Sequence, residues 1–330
     1  MSDDLKKKEE EMKILKMVFG DNIVCEENEQ PDFILNYGSN VRHGVEITEL
    51  YYDGTSARIN NKRYIKELLE RKKYWHKDDK KRIKFKEAKY YGKEKGDSPI
   101  VVPMLFLPKY NMRDYTEALK QTIESKNMKL KKYCCNVSKN CILVIYDKEN
   151  PFQKLYEQDI ARQLFVADLS KVIRESNYEE IYLITEIKGT KRYIPLKAYL
   201  LLSDFLLFME FIKKENLVGR LEEKYNLPLL AFAEILKRRG NTVVFGQVDN
   251  DEILEKMVVY CGMYGIGMGV DDNNSCRVGV FDIYPLQNIV NAAEFELETS
   301  TDFFDDTLYM AYENLVQKEV ASVNFFFPIK

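Results

Sequence analysis

The stretch from Pro31 to Leu50, PDFILNYGSNVRHGVEITEL, constrains this chain more than any other. It reads as a turn, a strand over Phe33, Ile34 and Leu35, a polar loop at Gly38, Ser39 and Asn40, and a second strand over Val45, Glu46, Ile47 and Thr48. Gly, Ser and Asn between two β-prone runs are hairpin-turn chemistry. Two acids stand where strand propensity disfavours them: Asp32 at the entrance to the first strand and Glu46 inside the second. An acid in a core strand is costly unless its charge is compensated. A divalent cation would compensate both. Mg²⁺ takes oxygen ligands and usually only one or two protein carboxylates, with water and phosphate making up the rest.

The layout resembles a known pattern. Pro31-Asp32, a hairpin, then Glu46-Ile47-Thr48 is similar to the motif of the PD-(D/E)XK, or restriction-endonuclease-like, nuclease superfamily. The position usually held by Lys is Thr48 here, and GVEITEL resembles a subset of the superfamily with Thr in that place. The resemblance implies an α/β fold, a mixed sheet flanked by helices. It implies metal-dependent hydrolysis of DNA phosphodiesters, with Mg²⁺ or Mn²⁺ held by Asp32, Glu46 and the Ile47 carbonyl, and Thr48 hydrogen-bonding close by. A role in bacterial or phage defence or restriction is what such a resemblance most often implies.

Two further site residues are sought from the same resemblance. Members often bring an acid from the first helix, here expected over residues 3–19 from the spacing of Leu5, Met12, Leu15 and Phe19, with Ser2 and Asp3 as caps. Glu11 shares a face with Leu15 and Val18 and is the candidate for joining the metal site, as the resemblance implies; Glu10 shares one with Ile14 and Met17, and a KKKEEE run is otherwise a solvated face. Members lacking the strand lysine can supply it from the following helix, expected here over Tyr115 to Tyr133. Lys126 lies on the apolar stripe of Ile123 and Leu130, which makes it the candidate; the plain alternative is a lysine whose stem covers core while its ammonium reaches water. Lys129, Gln121 and Tyr133 are candidate DNA contacts on that helix.

Charge is unevenly placed. The chain of 330 residues carries a net −3, yet Arg58 to Lys95 holds sixteen Lys/Arg against six Asp/Glu, so the remainder carries −13. Within the insertion at about 51–98, Lys77, Lys80, Lys81, Arg82, Lys84, Lys86 and Lys89 are candidate phosphate contacts, and the interleaved aromatics could stack on bases. A lysine-rich solvated surface is the competing reading. A helix is expected over Arg58 to Lys73 and a strand over Val101 to Leu107.

Six cysteines without CxxC spacing and only two histidines argue against a zinc site and for reduced thiols of a cytoplasmic protein. The charged start, MSDDLKKKEEEMK, has no apolar core, so no signal peptide is expected. The longest apolar runs are too short and too polar to span a bilayer.

The rest alternates strand and helix. A strand is expected over Ile142 to Tyr146, a helix over Leu155 to Arg174, a strand over Ile181 to Ile187 with a partner over Gly189 to Leu196, and a hydrophobic helix over Ala198 to Lys214. The nuclease-like domain is therefore drawn over 1–215. A smaller α/β domain follows over 216–330, with a helix at Leu229 to Arg238, a strand at Thr242 to Val248 and a helix at Asp251 to Tyr260. A hairpin of Ile266 to Val270 and Arg277 to Tyr284 turns at Asp271 to Asn274, and a last helix runs from Asp306 to Val320 behind Asp302 and Asp305. The glycine-rich CGMYGIGMG lacks the ending of a phosphate loop and fits tight helix-to-strand packing. From Asp282 to Lys330 the local charge is −7, a face for a partner protein; a homodimer is the other partner considered. Two further functions remain open: a catalytically silent nucleic-acid-binding module and a protein-interaction subunit that keeps the nuclease-like fold.

Overall fold

The hairpin forms, inside a six-stranded mixed sheet. The computed structural model describes residues 3–37, 41–91, 99–107, 109–134, 140–155, 157–215, 227–241, 243–248, 257–261, 264–270, 276–282, 289–294 and 305–321. Helix α1 (Asp3–Phe19) precedes three antiparallel strands, β1 (Cys25–Glu27), β2 (Phe33–Tyr37) and β3 (Val41–Leu50). Ser2 and the turn at Gly38, Ser39 and Asn40 lie outside the described residues.

The insertion holds α2 (Gly54–Ile59), α3 (Lys62–Arg71), α4 (Lys77–Arg82) and an antiparallel pair, β4 (Lys84–Tyr90) and β5 (Ile100–Phe106). The single helix expected over Arg58 to Lys73 is two. Asp53 caps α2 by accepting from the N–H groups of Thr55 and Ser56, and Asn61 caps α3 by accepting from Arg63 and Tyr64. A side chain that satisfies first-turn donors starts a helix, so Asn61 begins a new one rather than continuing the old.

The chain returns through α5 (Met112–Cys134) to β6 (Cys141–Asp147), then α6 (Glu157–Leu164), α7 (Ala167–Arg174), β7 (Glu180–Ile187), β8 (Thr190–Pro195) and α8 (Leu196–Lys214). The helix expected over Leu155 to Arg174 is also two. The break buries Phe165, whose ring stacks 4.1 Å from that of Tyr199. The sheet order is β1-β2-β3-β6-β7-β8; β3, β6 and β7 run parallel and β8 returns antiparallel. Parallel neighbours need long crossovers, and the two here run through α5 and through α6 and α7.

Strand alternation divides the core. Val45, Ile47, Ile142 and Val144 join Phe33 and Leu35 against Ile14 and Leu15 of α1. On the other face Leu143 and Ile145 pack with Leu119, Ile123 and Leu130 of α5 and with α6 and α7. Helix α8 is shared. Leu196, Tyr199 and Leu200 belong to the sheet core, whereas Phe205, Phe208 and Ile212 enter a second core with Phe232 and Tyr312.

That second core contains α9 (Leu227–Arg238) and α10 (Asp306–Val316) beside a five-stranded sheet. Its strands are β9 (Val243–Val248), β10 (Met257–Cys261), β11 (Tyr264–Val270), β12 (Cys276–Asp282) and β13 (Ile289–Glu294). Asp305 caps α10 by accepting from Leu308 N–H. Residues 257–260, expected as helix, are strand. The run Met257-Val258-Val259-Tyr260 suits a strand lodged between two neighbours, and it pairs with both β9 and β11. The described part of the glycine-rich stretch packs strand against strand: Cys261 of β10 opposes Tyr264, and residues 264–269 lie in β11. The acidic turn at 271–274 and Asp302 lie outside the described residues. No helix among the described residues is long and apolar enough to cross a membrane.

Candidate active site

On β3, Glu46 and Thr48 point to the α5 face, opposite Val45 and Ile47. Glu46 would be an acid buried among apolar neighbours, and α5 supplies its counter-charge. Lys126 Nζ donates to Glu46 Oε1 at 2.5 Å. Their side chains are 15% and 8% exposed, so both charges are largely out of water. Such a pair is tolerated because each compensates the other, and charged partners make the shorter, stronger hydrogen bonds. Ile123 and Leu130, one turn to either side of Lys126, are buried and aim this face of the helix at the sheet.

Asp32 reaches the same strand differently. Strand β2 begins at Phe33, opposite Val45, so the ladder has run out by Ile47. Asp32 Oδ2 accepts the Ile47 N–H at 2.8 Å and replaces the missing strand partner. The N–H and C=O of one strand residue point to the same edge, so the Ile47 carbonyl faces the Asp32 edge as well. Gly44 makes this fit possible: a Cβ there would stand 2.6 Å from Pro31 Cγ, so a side chain at 44 would push Pro31 and Asp32 away.

Glu11 is buried on α1, and Glu10 is exposed. Lys8 stands between Glu11 and Asp32, with Nζ 3.2 Å from Glu11 Oε2 and 3.5 Å from Asp32 Oδ1. Burial works to lower the Lys8 amine, but the two carboxylates outweigh it and hold it above the ordinary lysine range. Each strand acid thus has a lysine partner, Lys126 of α5 for Glu46 and Lys8 of α1 for Asp32, and Lys8 also meets Glu11. Lys8 was hidden in a run that reads as solvated surface; its signal is the spacing of three to Glu11 on the face of Leu15.

Among the described residues, no three acid, His or Cys side chains cluster closely enough to hold an ion between them. What the site offers is two carboxylates and a carbonyl around one peptide, all oxygen donors. That set fits a Mg²⁺-type ion that keeps much of its water or takes phosphate oxygens.

The other expected residues are placed as follows. Thr48 is half-buried on the Glu46 face, opposite Ile145. Gln121 is exposed and donates to Glu117 on its own helix. Lys129 is exposed, and the Tyr133 side chain lies outside the described residues. Lys77, Lys80, Lys81, Arg82, Lys84, Lys86 and Lys89 are all exposed, on α4 and β4. Arg82 pairs with Asp53.

The insertion is organised by a residue that sequence reading passed over. Asp79 is fully buried and accepts from Thr55 Oγ1 at 2.7 Å, Arg58 Nε at 2.8 Å and Tyr64 OH at 2.5 Å. Burial alone would raise its carboxyl; the hydrogen bonds from Arg58, Tyr64 and Thr55 outweigh that and bring it down to about 2. Tyr64, Leu68 and Ile83 form a small core around it. At the root of the insertion Tyr52 stacks on Tyr110 at 4.3 Å.

A cavity of about 770 Å³ opens elsewhere, between α7, α8, α9 and α10, and none of Asp32, Glu46 and Lys126 lines it. Its central charges answer one another: Asp204 accepts from Arg174 at 2.7 Å and from Arg239 at 3.0 Å. No family model, curated protein or solved structure matches the chain.

Proposed function

We propose that this chain has a restriction-endonuclease-like fold and is a divalent-metal-dependent nuclease that hydrolyses DNA phosphodiester bonds. The observation that carries the reading is the Lys126 ammonium against Glu46, on the strand whose next peptide is held by Asp32. Strand acids, an oxygen-donor edge and a lysine from the following helix come together although the motif has Thr48 where a lysine is usual.

Asp32, Glu46 and the Ile47 carbonyl would hold Mg²⁺ or Mn²⁺. Bound there, the ion supplies an activated water and neutralises charge on the phosphate. Lys126 pairs with Glu46 and presents a cation where negative charge grows as the bond breaks. Lys8 ion-pairs with Asp32 and is positioned by Glu11. Thr48 offers a hydroxyl two residues beyond Glu46 on the same face. The exposed lysines of α4 and β4 neutralise backbone phosphates.

The test is nicking of supercoiled plasmid with Mg²⁺, Mn²⁺ or EDTA, beside Asp32→Ala. The proposal expects metal-dependent cutting that Asp32→Ala abolishes. Cutting by Asp32→Ala at the wild-type rate contradicts it. DNA binding with no cutting under either metal favours a silent binding module.

A further inference from the structure

The strand pair β4–β5 is an arm whose two strands differ in chemistry. At its root Phe85 and Leu105 oppose each other and pack on the core of Tyr64, Leu68 and Ile83. The outward face carries the alternate residues. There the register sets Lys84 beside Phe106, Lys86 beside Met104, Ala88 beside Val102 and Tyr90 beside Ile100. One strand contributes two lysines, Lys84 and Lys86, toward its root, and the other a continuous apolar row. Ile100 is 69% exposed, Met104 and Phe106 41% each, and Val102 39%. Apolar side chains exposed in a run like this mark a contact surface.

Charge identifies the partner. Lys84 and Lys86 flank the apolar row, Lys77, Lys80 and Lys81 lie just before it on α4, and Arg58 to Lys95 carries an excess of ten positive charges in a chain whose net charge is −3. Nucleic acid is a polyanion that also offers apolar base surface, so it answers both rows. Apart from the Tyr90 hydroxyl and the ammoniums of Lys84 and Lys86, the outward face has no side chain that hydrogen-bonds base edges, and it holds no Arg, Asn, Gln, Asp or Glu. Proteins that meet duplex DNA with apolar wedges do so in the minor groove, where the wedge partly unstacks a base step and bends the helix.

We propose that the β4–β5 arm binds duplex DNA in the minor groove, with the apolar row of β5 wedged against the bases and the lysine row of β4 on the phosphates of one groove wall. This rests on the reading of the chain as one that acts on DNA, and it gives the substrate: a duplex selected by its ease of bending rather than by a base-read sequence. The arm suits that task by its place in the chain. The insertion leaves the sheet at the end of β3, the strand of Glu46, and returns into α5, the helix of Lys126.

The experiment uses the full chain in EDTA, so that cleavage plays no part. Affinity for a short A·T-rich duplex is measured by anisotropy across a salt series, and bending by energy transfer between the duplex ends. The variants are Ile100→Ser with Val102→Ser, and Lys84→Gln with Lys86→Gln. All four side chains are exposed, so the fold is expected to survive, and circular dichroism with a melting curve confirms it. Wild type bends the duplex. The apolar pair of substitutions loses the bend and about tenfold in affinity with an unchanged salt dependence. The lysine pair keeps the bend and lowers the salt slope by roughly two, one for each phosphate no longer neutralised. Wild type that binds without bending overturns the proposal, as does bending that survives the serine substitutions. So does a serine variant that changes the mass by light scattering but not DNA binding; the arm is then an interface between copies of this chain. Bending in EDTA by a protein that never cuts leaves this proposal standing while the catalytic one falls.

Discussion

Lys126 Nζ lies 2.5 Å from Glu46 Oε1, across eighty residues of chain and the whole of the insertion. Each side chain compensates the other's charge where it stands. Removing one partner of such a pair leaves a buried charge, which costs on the order of 3 kcal/mol. Lys126→Met should therefore lower stability by about that amount, and adding Glu46→Gln should restore much of it. Denaturant titration of the single and double variants checks this. Equal destabilisation by both would mean that the ammonium does not compensate Glu46.

Gly44→Ala tests the positioning of Asp32. The new Cβ meets Pro31 Cγ at 2.6 Å and Cys141 Sγ at 3.1 Å. Pro31 must move, and Asp32 with it. A displacement of about an ångström in a catalytic group costs on the order of a hundredfold in rate. Plasmid nicking should fall by about that factor, and an unchanged rate would separate Pro31 from the site.

Asp79→Ala should unfold the insertion while leaving the sheet intact. It strands Arg58 beside Tyr64 and Thr55, for a local cost of about 3 kcal/mol. Hydrogen exchange should show α2, α3 and α4 opening with β3 and β6 protected. The Asp79 carboxyl is held below its usual value, so its stabilisation is present above the ordinary aspartate range and is lost as pH falls from 3.8 through about 2. Wild-type insertion protection should fade over that window, whereas protection that held to lower pH would remove Asp79 from this role.

Glu180 predicts the opposite slope. It is fully buried, and burial, opposed by the backbone N–H groups of Lys197, Ile181 and Ala198, pushes it to about 7 from 4.5. A carboxyl raised in the folded state stabilises while protonated, so its contribution is present below pH 4.5 and is lost as pH rises through about 7. Glu180→Gln should flatten the stability profile between those values. A wild-type profile already flat there would contradict the assignment.

The parts of the site legible in the sequence were those with a strong local pattern. Asp32 and Glu46 were visible because acids are out of place in strands, and Lys126 because it interrupts the stripe of Ile123 and Leu130. Lys8 was not, since KKKEEE reads the same whether one lysine turns inward or none does. Asp79 sits in KDDKKR, a surface pattern in every respect, and its burial depends on Arg58, Tyr64 and Thr55 arriving from elsewhere. The same limit explains the fold. Helix α1 and the hairpin carry their own periodicity, whereas residues 257–260 become strand only because β9 and β11 flank them.

On the proposed reading, Lys126 serves the chemistry of the strand acids. The most direct measurement is single-turnover cleavage of duplex DNA over a Mg²⁺ series by wild type and Lys126→Met, at a temperature where both are folded. The maximal rate should be about a hundredfold lower for Lys126→Met, with the metal concentration at half-maximum unchanged or lower, because Glu46 is freed of its competitor. Cleavage by Lys126→Met at the wild-type maximal rate would remove Lys126 from the chemistry.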